Sequence, residues 1–340
     1  MKRFFIGIDF SKQKFDAAIF DSEKGLILDN KEFENIEAGY KLMLKWIKQT
    51  TKLDVKQCLF CGEHTGLYSY EFSKFTVKKG LNFWLESGYQ IKHSLGLVRG
   101  KTDKADAVLI SKYAYRHQDK AEPFKGIDTI LEQMKDLYAF RKRLTNTKKS
   151  LEVAAKELYR VKSNDYIVCY INDNSAEIIK QIESQLKEVE RKIKELIKSN
   201  NQINENYKLL TSIKGIGMVN AALVLITTGN FTLFTNARKF GCYCGVVPFS
   251  HRSGTSVKGK DRVSHMANKE LKTNLTLAAR TAVMHDPKLR EYYQRKILEG
   301  KGKSLVINNV RNKLIHTMFA VVKNRQSYDA NFHHPLLKAA

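Results

Sequence analysis

The sequence predicts an α/β domain followed by two helical segments, and three observations carry that prediction. Short apolar runs alternate with amphipathic stretches over the first 120 residues. A heptad-spaced apolar seam then occupies the middle of the chain. After residue 205 the acids nearly vanish, and Gly, Thr and Asn rise. The 340-residue chain holds 59 Lys+Arg against 35 Asp+Glu, a net charge of +24. Residues 206–340 alone hold 22 basic and 6 acidic side chains, about two thirds of the excess. Such an imbalance on a folded body favours a polyanionic partner, most often nucleic acid. A hydrophobic content of 43% excludes a disordered basic tail. The 19 Gly, 4 Pro and 5 Cys exclude collagen-like and disulfide scaffolds.

The elements follow in order. Residues 4–8 form a short apolar run, residues 16–20 follow at hairpin distance, and residues 25–33 offer a third strand. A helix is expected over 38–49, with Leu42, Leu44 and Trp46 available for packing. Strands over 55–61 and 81–85 flank a helix that ends near residue 79. Thr102 can cap a helix over 103–116. Three strands, helix, strand, helix, strand, helix is an α/β order with a mixed sheet. A long helix is expected over 127–161, and a polar, Asn-rich turn over 163–175. A second helix then carries Ile179, Ile182, Leu186, Val189, Ile193, Leu196, Asn200 and Ile203, spaced as a coiled-coil seam. Such a seam serves either a helical hairpin or a contact between copies. Helices over 268–285, 289–298 and 305–323 complete the chain. The expected boundaries are 1–120, 121–205 and 206–330, with a tail over 331–340.

Several alternatives lose on residue chemistry. The N-terminal apolar stretch is interrupted by Asp9 and is too short for a signal peptide. The uncharged run over 218–237 is long enough for a membrane, but its Asn and Thr content marks a buried helix plus loop. Cys58 and Cys61 have zinc-like spacing inside an apolar run, so they read as buried thiols in a reduced, cytoplasmic protein.

Three constellations carry chemistry. Asp9 and Glu63 end strands, while Asp103 and Asp106 are three apart and share a helix face. Carboxylates brought together repel unless a cation sits among them, and two Mg²⁺ ions so held act on phosphate chemistry. Second, residues 209–222 read as helix, Gly-x-Gly turn and apolar helix, a helix-hairpin-helix pattern. There Gly215 and Gly217 would bring backbone N–H groups to a phosphate, with Lys214 adding charge. Third, Ser253 precedes Gly254 in a loop with Arg252, Lys258, Lys260 and Arg262. A loop serine is ordinarily a turn residue. Among so many cations it is also a candidate nucleophile on a phosphodiester.

Taken together, Gly7-Ile-Asp9, Gly62-Glu63-His-Thr-Gly66, Lys101-Thr-Asp103-Lys-Ala-Asp106, the Gly-Ile-Gly turn and Gly245-Val-Val-Pro248 leading to Ser253-Gly254 resemble the IS110 family of insertion-sequence transposases, the DEDD recombinases, which includes DNA invertases. The resemblance implies an RNase H/RuvC-like nuclease domain, a coiled-coil segment and a mainly helical C-terminal transposase domain. It implies Mg²⁺ at Asp9, Glu63, Asp103 and Asp106, and a covalent phosphoserine at Ser253. It implies donor and target DNA, a noncoding bridge RNA that pairs with both, and homodimers or homotetramers acting in the bacterial cytoplasm. Arg252 stands where relatives often have a first serine, which leaves Ser250 and Ser256 as alternatives to Ser253. Ala267 replaces a frequent Gly, and Lys272 a common Arg. Two other readings stay open: a metal-dependent nuclease in which water attacks, and a nucleic-acid-binding protein without catalysis.

Overall fold

The computed structural model describes residues 2–94, 103–126, 128–163, 165–253 and 257–330. The side chains of residues 103, 250–253, 257, 258 and 260 lie outside that description. The chain divides into two compact units, Met1–Gly126 and Ile127–Ala340.

The first unit is built on β1 (Phe4–Phe10), β2 (Lys14–Asp21), β3 (Leu26–Glu34), α1 (Glu37–Thr51), β4 (Leu59–Glu63), α2 (Leu67–Lys79), β5 (Phe83–Glu86), α3 (Gly88–Ser94) and α4 (Asp103–Arg116). Its sheet runs β3-β2-β1-β4-β5. The hairpins make β1, β2 and β3 antiparallel, whereas β4 and β5 run parallel to β1. Alternation along each strand assigns the faces. Ile6, Ile8, Phe10 and Phe15 meet Tyr40, Met43, Ile47 and Phe72 on one side. Phe5, Phe20, Cys61 and Trp84 meet Ile110, Tyr113 and Ala114 of α4 on the other. Leu42, expected to pack, is 61% exposed; the helical period turns Met43 and Ile47 inward instead.

Cys58 and Cys61 fall in cores on opposite faces of the sheet, so they cannot share a metal. Both are free thiols, and burial pushes the Cys58 thiol up to about 11.

The second unit comprises α5 (Thr129–Val161), α6 (Tyr166–Lys198), α7 (Asn201–Ser212), α8 (Met218–Thr228), α9 (Ala237–Tyr243), β6 (Pro248–Ser253), β7 (Val257–Val263), α10 (Lys269–His285), α11 (Pro287–Leu298) and α12 (Lys303–Asn324). Helices α5 and α6 pack against one another. Arg141–Glu190 at 2.8 Å and Lys148–Glu183 at 2.5 Å tie them across the seam. At the root of this pair Met134, Tyr138, Val189 and Ile193 join one core with α7, α8, α10 and α12.

Three sequence expectations change here. The Asn-rich stretch is helical from Tyr166, because Asp165 caps it by accepting from the Ile167 and Val168 N–H groups. Asn200 is not a seam residue: α6 ends at Lys198, and the Asn200 side chain caps α7 by accepting from Ile203 N–H at 3.1 Å. The serine loop is a two-stranded antiparallel hairpin, β6 with β7, in which Arg252 pairs with Lys258 and Ser253 with Val257. The run after Met218 is the buried helix expected, and no described helix is long and apolar enough to cross a membrane.

Candidate active site

Asp9, Glu63 and Glu86 fall on the α4 side of the sheet, at the C-terminal ends of the parallel strands. Ile8 is in register with Gly62, so Asp9 and Glu63 follow side by side on β1 and β4. Glu63 is in turn in register with Glu86 of β5. Helix α4 crosses β1 so tightly that a Cβ on Gly7 would lie 2.1 Å from the Ala107 carbonyl and 2.3 Å from the Ser111 nitrogen. Only a residue without a side chain permits that approach, and it seats the helix turn bearing Asp106 two residues from Asp9. Asp103 opens the same helix; its side chain lies outside the described residues.

Neighbours fix this arrangement. The Glu63 carboxylate occupies the space a side chain at Gly88 would take, with Oε1 only 2.0 Å from that Cβ position. Asn30 Nδ2 on β3 donates to the Lys104 carbonyl at 2.8 Å, holding the first turn of α4 to the sheet. Tyr113 O–H donates to Glu86 Oε2 at 3.1 Å. Burial, and then the Glu86 charge, hold the Tyr113 phenol protonated well above its ordinary range.

Two acids of this face escape a sequence reading. Asp16 is 3% exposed and sits directly opposite Asp9 in the β1–β2 register. Its signal is hidden inside an apolar run. Glu86 follows the expected end of β5 by one residue, so a strand-end rule carried one position further finds it.

The donor set consists of carboxylate oxygens, which suits a hard divalent cation. Among the described residues no three such side chains converge on one point.

In the second unit, Lys214 is exposed and Gly217 opens α8 with nothing within 4 Å of its Cβ position. Gly215 has a different surrounding. Its φ is +92°, and a side chain there would lie 2.4 Å from the Ala278 carbonyl of α10. Close packing requires this glycine, whereas Gly217 leaves the helix N-terminus clear.

The hairpin bearing Arg252, Ser253, Lys258 and Lys260 is described by its backbone alone; Arg262 on β7 is exposed. Ser256 falls outside the described residues, as does the Ser250 side chain. The hairpin root is firmly held. Gly245 has φ +64°, and the Ala267 methyl fills the space its side chain would need, at 2.3 Å. Asn268 N–H donates to the Tyr243 carbonyl at 2.9 Å, and its side chain caps α10.

Comparisons with known proteins identify the family. A DEDD transposase model of the IS110 type matches residues 6–158, and the model of the transposase IS116/IS110/IS902 family matches residues 207–294. The pilin gene-inverting protein of Moraxella bovis is 25% identical over 338 residues, covering 98% of this chain and 100% of that protein. Its counterpart in Moraxella lacunata matches to the same extent. An insertion element IS110 protein of Streptomyces coelicolor is 31% identical over 122 residues, 36% of this chain and 30% of that protein. The first match spans the strands and helix that hold Asp9, Glu63 and Asp106, and the second spans the Gly-Ile-Gly turn and the serine hairpin: the chain belongs to the IS110 family of DEDD transposases.

Proposed function

We propose that the protein cleaves and rejoins DNA strands as a transposase, through a covalent serine intermediate and under the guidance of a noncoding RNA. The observation that carries the reading is that Asp9 and Glu63 follow in register on β1 and β4 while α4 packs on β1 at Gly7 through Ala107 and Ser111, in a chain whose other unit holds most of the net charge of +24. The sheet order, with its antiparallel hairpins and parallel β4 and β5, supports an RNase H/RuvC-like assignment of the first unit.

Asp9, Glu63, Asp103 and Asp106 would hold divalent metal, two Mg²⁺ on this reading, which when bound neutralises charge building on the phosphate. Ser253 Oγ attacks the phosphorus of the scissile phosphodiester. A serine O–P bond forms, one P–O bond to the deoxyribose breaks, and the departing sugar oxygen takes up a proton. A hydroxyl of the partner strand then attacks the phosphoserine, a new phosphodiester forms, and the serine oxygen is released and reprotonated. The bond count is unchanged, so no ATP is needed. Lys258, Lys260, Arg252 and Arg262 offset the negative charge of the pentavalent state. Lys214 and the open N-terminus at Gly217 grip backbone phosphate without reading bases.

Guide RNA supplies the pairing with target and donor. The tip of the α5–α6 pair supports assembly of copies: Val161 and Tyr166 are 73% and 81% exposed, with Ile167 and Tyr170 beside them. An apolar tip of this kind is covered when two or four chains associate. The end-to-end match to the pilin gene-inverting proteins favours a second form of the reading, inversion of a DNA segment by the same chemistry.

The test is purification of the chain with its associated nucleic acid, followed by strand exchange between paired donor and target DNA. Exchange that requires a discrete copurifying RNA supports the proposal. Exchange that survives complete ribonuclease treatment removes the guide, and hydrolysis without rejoining favours a nuclease that uses water.

A further inference from the structure

Among the described residues, one buried cation of the second unit has no counter-charge. Arg311 of α12 is 9% exposed. One of its terminal nitrogens donates to Thr276 Oγ1 of α10 at 3.2 Å, and that hydroxyl is itself committed to the Lys272 carbonyl. The Nε–H is sealed from solvent and meets no acceptor. Among the described residues no carboxylate pairs with it. Burial lowers the guanidinium pKa, and no acid opposes that effect.

Its location is specific. One turn earlier on the same helix, Asn308 Nδ2 donates to the Val246 carbonyl at 2.9 Å, just before β6 begins. The next residue, Asn312, faces Gly241, with Oδ1 3.6 Å from where a side chain there would start. Asn308 and Asn312 thus set this stretch of α12 against residues 241–246, the segment that leads into the serine hairpin, while Arg311 between them faces Thr276 of α10. A guanidinium kept in such a place without an anion is costly. The cost is recovered when an anion arrives, and a phosphodiester matches the planar fork of donors.

We propose that Arg311 is an anion receptor on the stretch of α12 set against the segment that leads into the β6–β7 hairpin, taking one backbone phosphate of the bound DNA. The inference rests on the reading that this unit engages DNA. It does not depend on which serine attacks or on the guide RNA.

The experiment uses the full chain and its Arg311→Met and Arg311→Lys variants. Unfolding temperature is measured without nucleic acid, and duplex DNA binding is measured against salt concentration. Arg311→Met should unfold at the wild-type temperature or above it, because an uncompensated buried charge is gone. Its salt slope should be shallower by about one phosphate contact. Arg311→Lys, which keeps the charge, should retain the wild-type slope. A lower unfolding temperature for Arg311→Met with an unchanged slope would make Arg311 a structural donor to Thr276 and overturn the proposal. A slope change seen only with single-stranded RNA would overturn the assignment to DNA. Failure of the wild-type chain to bind duplex DNA would sink the underlying reading instead.

Discussion

The two candidate reacting regions are built in opposite ways. The carboxylates of the first unit lie at strand ends beneath a helix that touches the sheet backbone at Gly7. The serine of the second unit lies at the far end of a two-stranded hairpin whose root, at Gly245, Ala267 and Asn268, is held against helices. Groups that share a cation must keep fixed spacings, and a packed sheet supplies them. On the proposed reading the serine has to reach a phosphate carried by another molecule, and a hairpin anchored at its root suits that task.

The largest expected effect on this contrast comes from the acids. Asp106→Asn, and separately Asp9→Asn, should lower strand exchange by at least the order of 10²–10³, the range seen when one preorganised charge-stabilising group is lost. Duplex binding should stay near wild type in a gel-shift assay. Retained exchange in either variant would separate these carboxylates from the chemistry.

Two glycines probe the rigid region against the open one. Gly7→Ala drives a methyl into the α4 backbone and should lower stability by about 1–3 kcal/mol in urea unfolding. Gly217→Ala meets nothing and should stay within about 0.5 kcal/mol. Equal effects would show that the helix-on-sheet contact is looser than the geometry requires. A smaller effect is expected at the break between α6 and α7: Asn200→Ala removes the cap and should cost about 1 kcal/mol. Were Asn200 a seam residue, an apolar replacement such as Asn200→Leu would stabilise the chain instead.

Much of the first unit is legible in sequence, because every strand but the polar edge strand β3 is an apolar run closed by a turn or an acid, and strand-end acids mark their own edge. The second unit is harder to read. The β6–β7 hairpin carries His251, Arg252, Lys258 and Lys260 with no apolar alternation in its sequence, so it shows no strand period. The first turns of α6 look like a polar turn until the Asp165 cap is known. Short α3 and α9 carry too few residues for a periodic signal. Asp16 and Arg311 are hidden for a shared reason: each is a charge inside an apolar pattern, and the pattern is read first. Gly215 shows the converse, since its motif suggests phosphate contact while its surroundings show helix packing.

The central claim is the serine intermediate, and trapping it is the most direct test. Wild-type protein with its RNA is mixed with nicked donor DNA and a divalent metal, then denatured and resolved with labelled DNA. A covalent protein–DNA adduct that maps to Ser253 and vanishes in Ser253→Ala is the predicted result. An adduct, or full recombination, that persists in Ser253→Ala would contradict it.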